Sequence, residues 1–168
     1  NQSQSQVFTI APSLINIKSN NLNLNSVIES VPGVTVFSDQ NFAQDTRLAI
    51  RGVGLRSSFG IRGVKVFFDG VPESTPDGQA QLDAIDLAFL RTIEIFKNPT
   101  PVAFGNASGA AINLISNPIS NRNKNKFNVC IGSYDSRKLN IELNGLQKSF
   151  KWRINGLHKF SKGFRQHS

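Results

Sequence analysis

The chain has 168 residues, which suffices for one ordinary domain, or for one domain and part of another. The formal net charge is +8, but residues 1–120 sum to −1 and residues 121–168 to +9, so the basic character belongs to the tail. The single cysteine, Cys130, excludes an internal disulfide. No apolar run reaches the roughly 18 residues of a membrane-spanning helix, and the two histidines do not stand in a metal-ligand spacing.

Residues 1–6 contain only Asn, Gln and Ser, and we expect them to be disordered. Residues 7–17 then predict a short β stretch that Pro12 interrupts, and apolar spacing over 22–31 predicts a short helix that ends at Pro32-Gly33. Further strands are predicted at 34–37, 48–51, 64–68, 92–96 and 110–115, and a weak helix at 82–90.

Two long connections separate these elements. Residues 52–63 are punctuated by glycine, and residues 73–81 are polar and rich in turn-forming residues, so both are expected to be exposed loops. Interleaved short strands and helices indicate a small mixed α/β domain over residues 7–118.

The pattern changes after a polar linker at 117–125. Apolar residues alternate with Asn, Lys, Arg and Glu in three segments, centred on Val129, Ile141 and Trp152, with turns predicted at 133–136 and 145–149. This predicts an antiparallel meander over 119–168. One interpretation is an ordinary half-buried sheet, and the other is a set of outer-membrane barrel strands with lipid on the apolar side and water on the polar side.

Five motifs occur in order over residues 26–116 and resemble the plug domain of TonB-dependent outer-membrane receptors. They are 27–34 (VIESVPGV), 48–54 (LAIRGVG), 64–72 (VKVFFDGVP), 93–99 (IEIFKNP) and 104–113 (FGNASGAAIN), which resemble the family patterns VPGV, IRG.G, V.V..DG.P, IEV.RGP and LYG....GG.IN. The tail segments 132–134 (GSY) and 162–165 (KGFR) also resemble the beginning of such barrels.

The resemblance implies an α+β fold, with a small mixed α/β plug followed by an antiparallel meander that begins a transmembrane β-barrel. It implies location in the outer membrane of a Gram-negative bacterium and uptake of scarce nutrients such as ferric siderophores. The implied partners are a small-molecule ligand, the inner-membrane TonB energy-coupling protein, outer-membrane lipid and the remainder of the barrel, and no cofactor is implied.

Three departures from the family pattern limit these implications. Lys97-Asn98-Pro99 replaces Arg-Gly-Pro, Phe104 replaces the Tyr of LYG, and no energy-coupling segment precedes Val7. In the family the two motif arginines help to lock plug to barrel, so Arg51 and Lys97 become candidates for plug–barrel anchoring. The alternative is that both are plain surface cations.

The resemblance implies that the two long loops lie at the plug apex and face the ligand. The candidate ligand contacts are Arg56, Ser57, Ser58 and Phe59 in the first loop, Gln79 and Gln81 in the second, and Phe104. A phosphate-binding loop is excluded, because Ser57 stands where the third glycine of G-x-G-x-x-G is required. Asp77-Gly78 predicts a turn, and Asp83 or Asp86 a helix cap, in preference to a metal site.

Other functions remain as alternatives. Lys and Arg interleaved with Phe and Trp in the tail are compatible with a basic nucleic-acid-binding module, and a free-standing plug-like ligand-binding protein is a second alternative. We expect no enzymatic activity, since no nucleophile and base stand in a catalytic arrangement. We also expect no nucleic-acid binding. Three strands cannot close a barrel and the sequence lacks Met, so we expect a fragment, a truncated product or a split receptor.

Overall fold

The computed structural model describes residues 7–18, 24–37, 46–58, 60–82, 85–97, 109–119 and 125–163. The chain divides into two compact units, residues 1–116 and 117–168. The first unit contains strands β1 (Val7–Ile10), β2 (Val34–Phe37), β3 (Arg47–Ile50), β4 (Ile61–Arg62), β5 (Val64–Phe68), β6 (Val71–Pro72), β7 (Gln79–Ala80), β8 (Leu90–Phe96) and β9 (Ala110–Ser116). Its helices are α1 (Pro12–Lys18), α2 (Asn25–Ile28) and a 3-10 turn (Leu87–Phe89).

The first unit is built around a five-stranded sheet of order β1-β8-β9-β5-β6. Among these strands only β5 and β9 pair in parallel, while β1 with β8, β8 with β9 and β5 with β6 are antiparallel. Two-stranded sheets β2-β3 and β4-β7 accompany it. The α+β class predicted from the sequence is confirmed.

One face of the large sheet forms the core, because alternate strand residues point to the same side. The buried side chains of this face and of the helices that cover it include Ile15, Ile28, Val64, Val66, Ile93, Ile95, Ile112 and Leu114. Each of these eight side chains is at most 1% exposed, and a buried aliphatic side chain contributes about 1.5–3 kcal/mol.

The prediction of one β stretch over 7–17 is wrong in its second half, where α1 begins at Pro12. The fixed φ of proline suits the first turn of a helix, and its missing N–H costs nothing there. The predicted helix at 82–90 shortens to the 3-10 turn. Asp86 caps this turn, because its Oδ1 accepts a hydrogen bond from the Ala88 N–H at 2.9 Å. Asp83, the other predicted cap, lies outside the described residues.

The second unit is a three-stranded antiparallel meander of β10 (Lys126–Gly132), β11 (Ser136–Gln147) and β12 (Phe150–Phe160). Gly145, predicted as a turn residue, instead lies within β11 and pairs with Trp152. The β10–β11 connection is tight, because Tyr134 (φ 58°) and Asp135 (φ 54°) both adopt the left-handed conformation of a type I′ turn.

The polarity of this sheet is the reverse of that in a soluble protein. Its exposed side chains include Phe127 (68%), Ile131 (79%) and Ile154 (59%), whereas its buried side chains are polar, namely Lys138, Asn140 and Asn144. The register sets this arrangement, since Phe127 pairs with Ile141 and Leu143 with Ile154, which places apolar residues together on one face.

None of the helices within the described ranges has the length and apolarity that a membrane-spanning helix requires.

Candidate functional site

The first candidate loop begins with consecutive tight turns directly after β3. Arg51 (φ 49°), Gly52 (φ 83°) and Gly54 (φ 100°) all have positive φ, and reciprocal hydrogen bonds join Ile50 and Val53 at 2.9 and 3.0 Å. Gly54 lies directly against the Leu48 carbonyl, so a Cβ at this position would overlap backbone.

The predicted ligand contacts of this loop differ in exposure. Arg56 and Ser58 are exposed, whereas Ser57 is buried and its hydroxyl donates to the Gly60 carbonyl at 3.1 Å. Sequence reasoning missed Leu55, whose side chain is 56% exposed next to Arg56. Phe59 and Phe104 lie outside the described residues.

The two candidate loops, predicted separately, are joined by β4 and β7. Ile61 pairs with Ala80 and Arg62 with Gln79, and the Gln79 side chain covers Gly60 so closely that a Cβ there would lie 2.6 Å from its Nε2. Buried Ala80 and Ile61 fasten this small sheet to the core. Gln81 is exposed at the end of the pair. We call this joined surface, residues 55–58, 60–62 and 73–81, the loop platform.

An ion pair also links the two halves of the loop platform. Arg62 Nη2 lies 3.7 Å from Asp77 Oδ2. The Thr75 hydroxyl donates to Asp77 Oδ1, and this bond, the Gln79 N–H and the Arg62 charge lower the pKa of Asp77 below its ordinary value. The predicted Asp77-Gly78 turn is present, with Gly78 at φ 82°.

A second polar cluster joins three motifs of the first unit. The Arg51 N–H donates to the Gly33 carbonyl at 2.9 Å, and Arg51 Nη1 lies 3.5 Å from the Lys97 carbonyl. Lys97 is only 3% exposed, its Nζ lies 3.9 Å from the Phe8 ring centroid, and it donates a hydrogen bond to the Pro32 carbonyl. The surface-cation alternative is therefore wrong for Lys97, while Arg51 is exposed.

Burial lowers the pKa of the Lys97 ammonium below its ordinary value of 10.5, and the Arg51 charge lowers it further. In the alkaline range below 10.5 the unfolded chain therefore binds more protons than the folded chain. We expect the free energy of unfolding to rise with pH in this range through the Lys97 contribution.

Lys97→Met and Lys97→Arg should both flatten that rise, because Met does not titrate and Arg stays protonated throughout. Urea unfolding followed by circular dichroism at several pH values between 7 and 10.5 measures the slope. An unchanged slope in Lys97→Met would contradict this assignment.

Residues 2–112 match the family model of the TonB-dependent receptor plug domain. The chain belongs to this family. Plug domains are parts of Gram-negative outer-membrane receptors, so the localisation and the resemblance inferred from the sequence are confirmed.

Solved TonB-dependent receptors share the fold of this chain. The pyoverdine receptor FpvA of Pseudomonas aeruginosa PAO1, bound to pyoverdine, has 22% identity and a TM-score of 0.72, with 97% of this chain and 23% of that chain covered. The ferric-catecholate import receptor Fiu of E. coli K12 has 19% identity and a TM-score of 0.67, with 95% and 22% covered. The ferric yersiniabactin uptake receptor FyuA of Yersinia pestis has 16% identity and a TM-score of 0.67, with 88% and 22% covered.

The chain thus spans less than a quarter of the length of each of these three receptors. These similar proteins are transport receptors and not enzymes. The segments that resemble IRG and IEV.RGP contain Arg51 and Lys97, and both residues contact the Pro32-Gly33 turn.

Proposed function

We propose that this chain is the plug (residues 7–118) and the first barrel strands (residues 119–168) of an outer-membrane receptor that takes up a ferric siderophore. The segment 1–6, predicted from the sequence to be disordered, lies outside the described residues. The observation that carries the proposal is the plug-family match over residues 2–112. The iron-chelate receptors that share the fold support the ligand class.

The reversed polarity of the second unit supports contact with lipid. Phe127, Val129, Ile131, Phe150 and Ile154 are all at least 59% exposed on one face. A face with this composition is costly in water at about 25 cal/mol per Å² and favourable in a hydrocarbon layer. The outer edges of β10 and β12 have no neighbouring strand in the part of the chain that the structure describes, and the remainder of the barrel would continue the sheet there.

The loop platform is the proposed ligand surface. Arg56, Ser58, Gln79 and Gln81 would supply polar contacts, with Phe59 and Phe104 as further candidates, and Ser57 supports the loop from within. Ferric siderophore complexes are commonly anionic, and Arg56 offers a forked set of donors to such a ligand.

The remaining partners follow from the family. Arg51 and Lys97 would anchor the plug to barrel carboxylates, with exposed Arg51 the more accessible of the two. The TonB energy-coupling protein would act on a segment near the amino terminus. We propose a receptor without catalytic function and without nucleic-acid binding.

The proposal is tested by titrating the full chain in detergent micelles with ferric pyoverdine, with an iron–catecholate complex and with a DNA duplex at several salt concentrations. We expect one ferric chelate to bind, and Arg56→Gln to weaken that binding roughly tenfold through loss of a charge-assisted contact. The matched control, Arg91→Gln, removes an exposed cation on β8 and should leave affinity unchanged.

Strong, salt-sensitive DNA binding without chelate binding would favour the nucleic-acid alternative. Equal effects of the Arg56 and Arg91 substitutions would reject the loop platform as the ligand surface. Absence of binding to both chelates would count against the siderophore class.

A further inference from the structure

The exposed apolar face of the second unit is about as tall as the hydrocarbon layer of a membrane. On β12, a strand of 11 residues, this face runs from Phe150 to Phe160, and both rings are exposed. At about 3.3 Å per residue the strand is roughly 33 Å long, and a tilt of about 45° reduces this length to roughly 23 Å of depth. The apolar band of an outer-membrane barrel is about 25 Å tall. The two ends of the face would therefore lie near the two membrane–water interfaces.

The Phe160 end of this face carries a cluster of charged groups. Arg137 is the cross-strand partner of both Ile131 and Phe160, so it shares their face of the sheet. Its Nε and Nη2 donate to Asp135 Oδ1 at 2.9 and 2.6 Å, and Lys162 Nζ lies 3.2 Å from Asp135 Oδ2. We call Asp135, Arg137 and Lys162 the turn cluster.

Contacts of the neighbouring residues hold the turn cluster in place. The Lys162 N–H donates to the Tyr134 carbonyl at 3.0 Å, and the Ser136 and Ser161 hydroxyls lie 2.8 Å apart. These contacts fasten the chain that follows β12 to the β10–β11 turn. The two cations are thus positioned before a ligand arrives, which lowers the ordering cost of binding.

The charge and exposure of the turn cluster suit an anionic group. Two cations and one carboxylate leave a net charge of +1, and the Arg137 and Lys162 side chains are 64% and 70% exposed. A guanidinium has five N–H donors, of which Asp135 takes two. A phosphate monoester has three strong acceptor oxygens, which suffice for the guanidinium and the ammonium together.

We propose that the turn cluster binds the phosphate headgroup of an anionic membrane lipid, whose acyl chains cover the adjoining apolar face. Arg137 would donate its remaining N–H groups to the phosphate, Lys162 would add a second charge, and Asp135 keeps both cations in place. The occupant is a lipid because the cluster continues directly into the exposed apolar face at Phe160. The inference rests on the proposed contact of the second unit with lipid, and it does not depend on which ligand is taken up.

Phosphatidic acid is the probe that tests the turn cluster. It is titrated into the full chain in neutral detergent micelles, and NMR follows the Arg137 Nε–H and the amide of residue 162. We expect both signals to shift and to saturate. Arg137→Gln and Lys162→Gln should each weaken binding about tenfold through loss of a charge-assisted hydrogen bond. Lys151→Gln is the matched control, since it removes an exposed cation from the polar face of β12, and it should leave the affinity unchanged.

Two further titrations identify what is bound. Phosphatidylcholine, whose choline balances the phosphate charge, should leave both signals in place, and inorganic phosphate should bind far more weakly because it lacks acyl chains. Equal binding of inorganic phosphate and phosphatidic acid would overturn the lipid as occupant. Equal weakening by Arg137→Gln and Lys151→Gln would overturn the turn cluster as the site.

Unshifted signals with phosphatidic acid would overturn the inference as a whole. The ferric-chelate titration of the same sample reports the uptake function independently. A chain that binds a ferric chelate but not phosphatidic acid would therefore refute the turn cluster and leave the proposed uptake intact.

Discussion

Gly54→Ala should lower the free energy of unfolding of the chain by about 3–5 kcal/mol, the largest loss expected from any glycine substitution in the first unit. Two causes combine at this position. Gly54 has φ 100°, which L-residues rarely adopt, and an added Cβ would overlap the Leu48 carbonyl and lie 3.3 Å from the Arg62 carbonyl. Because both neighbours are backbone, neither can rotate away.

Gly70→Ala separates these two causes. Gly70 also has a positive φ (82°), but a Cβ there would meet nothing within 4 Å. We expect this control to lose only about 1–2 kcal/mol, from backbone strain alone. Urea unfolding followed by circular dichroism measures both losses, and similar values for the two variants would show that the close approach of Gly54 to Leu48 is unimportant.

The second large effect is expected in the meander, where Gly145→Ala should cost about 1–3 kcal/mol. The Trp152 indole lies directly across Gly145 on the neighbouring strand, and an added Cβ would overlap the ring at Cε2, Cζ2 and Nε1. An aromatic ring that covers a cross-strand glycine protects the backbone there and fixes the pairing of the two strands. The substitution must displace the ring.

Trp152 is the only tryptophan of the chain, so its fluorescence reports the displacement directly. We expect a red-shifted emission in Gly145→Ala, measured in detergent together with the unfolding free energy. Gly156→Ala, on β12 of the same sheet, places a Cβ in ordinary contact at 3.8 Å from Ile141 Cβ. It should leave the emission unchanged and stabilise the sheet by up to about 1 kcal/mol. An unshifted emission in Gly145→Ala would contradict the stacking.

Local patterns predicted the strands well where apolar residues dominated. The run 34–37 was predicted at the observed bounds of β2, and 64–68 at those of β5. Both rest on side-chain period and β-branched content, which are local properties. Pairing partners were not accessible in this way, and the β4–β7 pair that joins the two loops arises from contacts across residues far apart in sequence.

The contacts of the polar side chains could not be predicted from local sequence patterns either. Arg51 and Lys97 were singled out through motif resemblance, yet nothing local in the sequence indicated that Phe8 would cover Lys97. That contact depends on the antiparallel register between β1 and β8. Ser57 was predicted at the ligand surface because the family resemblance places its whole loop at the plug apex, whereas its side chain is buried and its hydroxyl donates to the Gly60 carbonyl. Leu55 was missed because an isolated leucine in a loop carries no chemical signature.

The topology of the plug sheet has a consequence for the order in which it forms. Val7 pairs with Phe96, and the parallel partners Val64 and Ala110 are also far apart, so the β1–β8 and β5–β9 pairings each require the closing of a long loop. Loop closure of this kind slows folding, and contacts between distant residues form late. Within this sheet β1 is synthesised well before its partner β8, and its apolar side chains stay uncovered until β8 pairs with it.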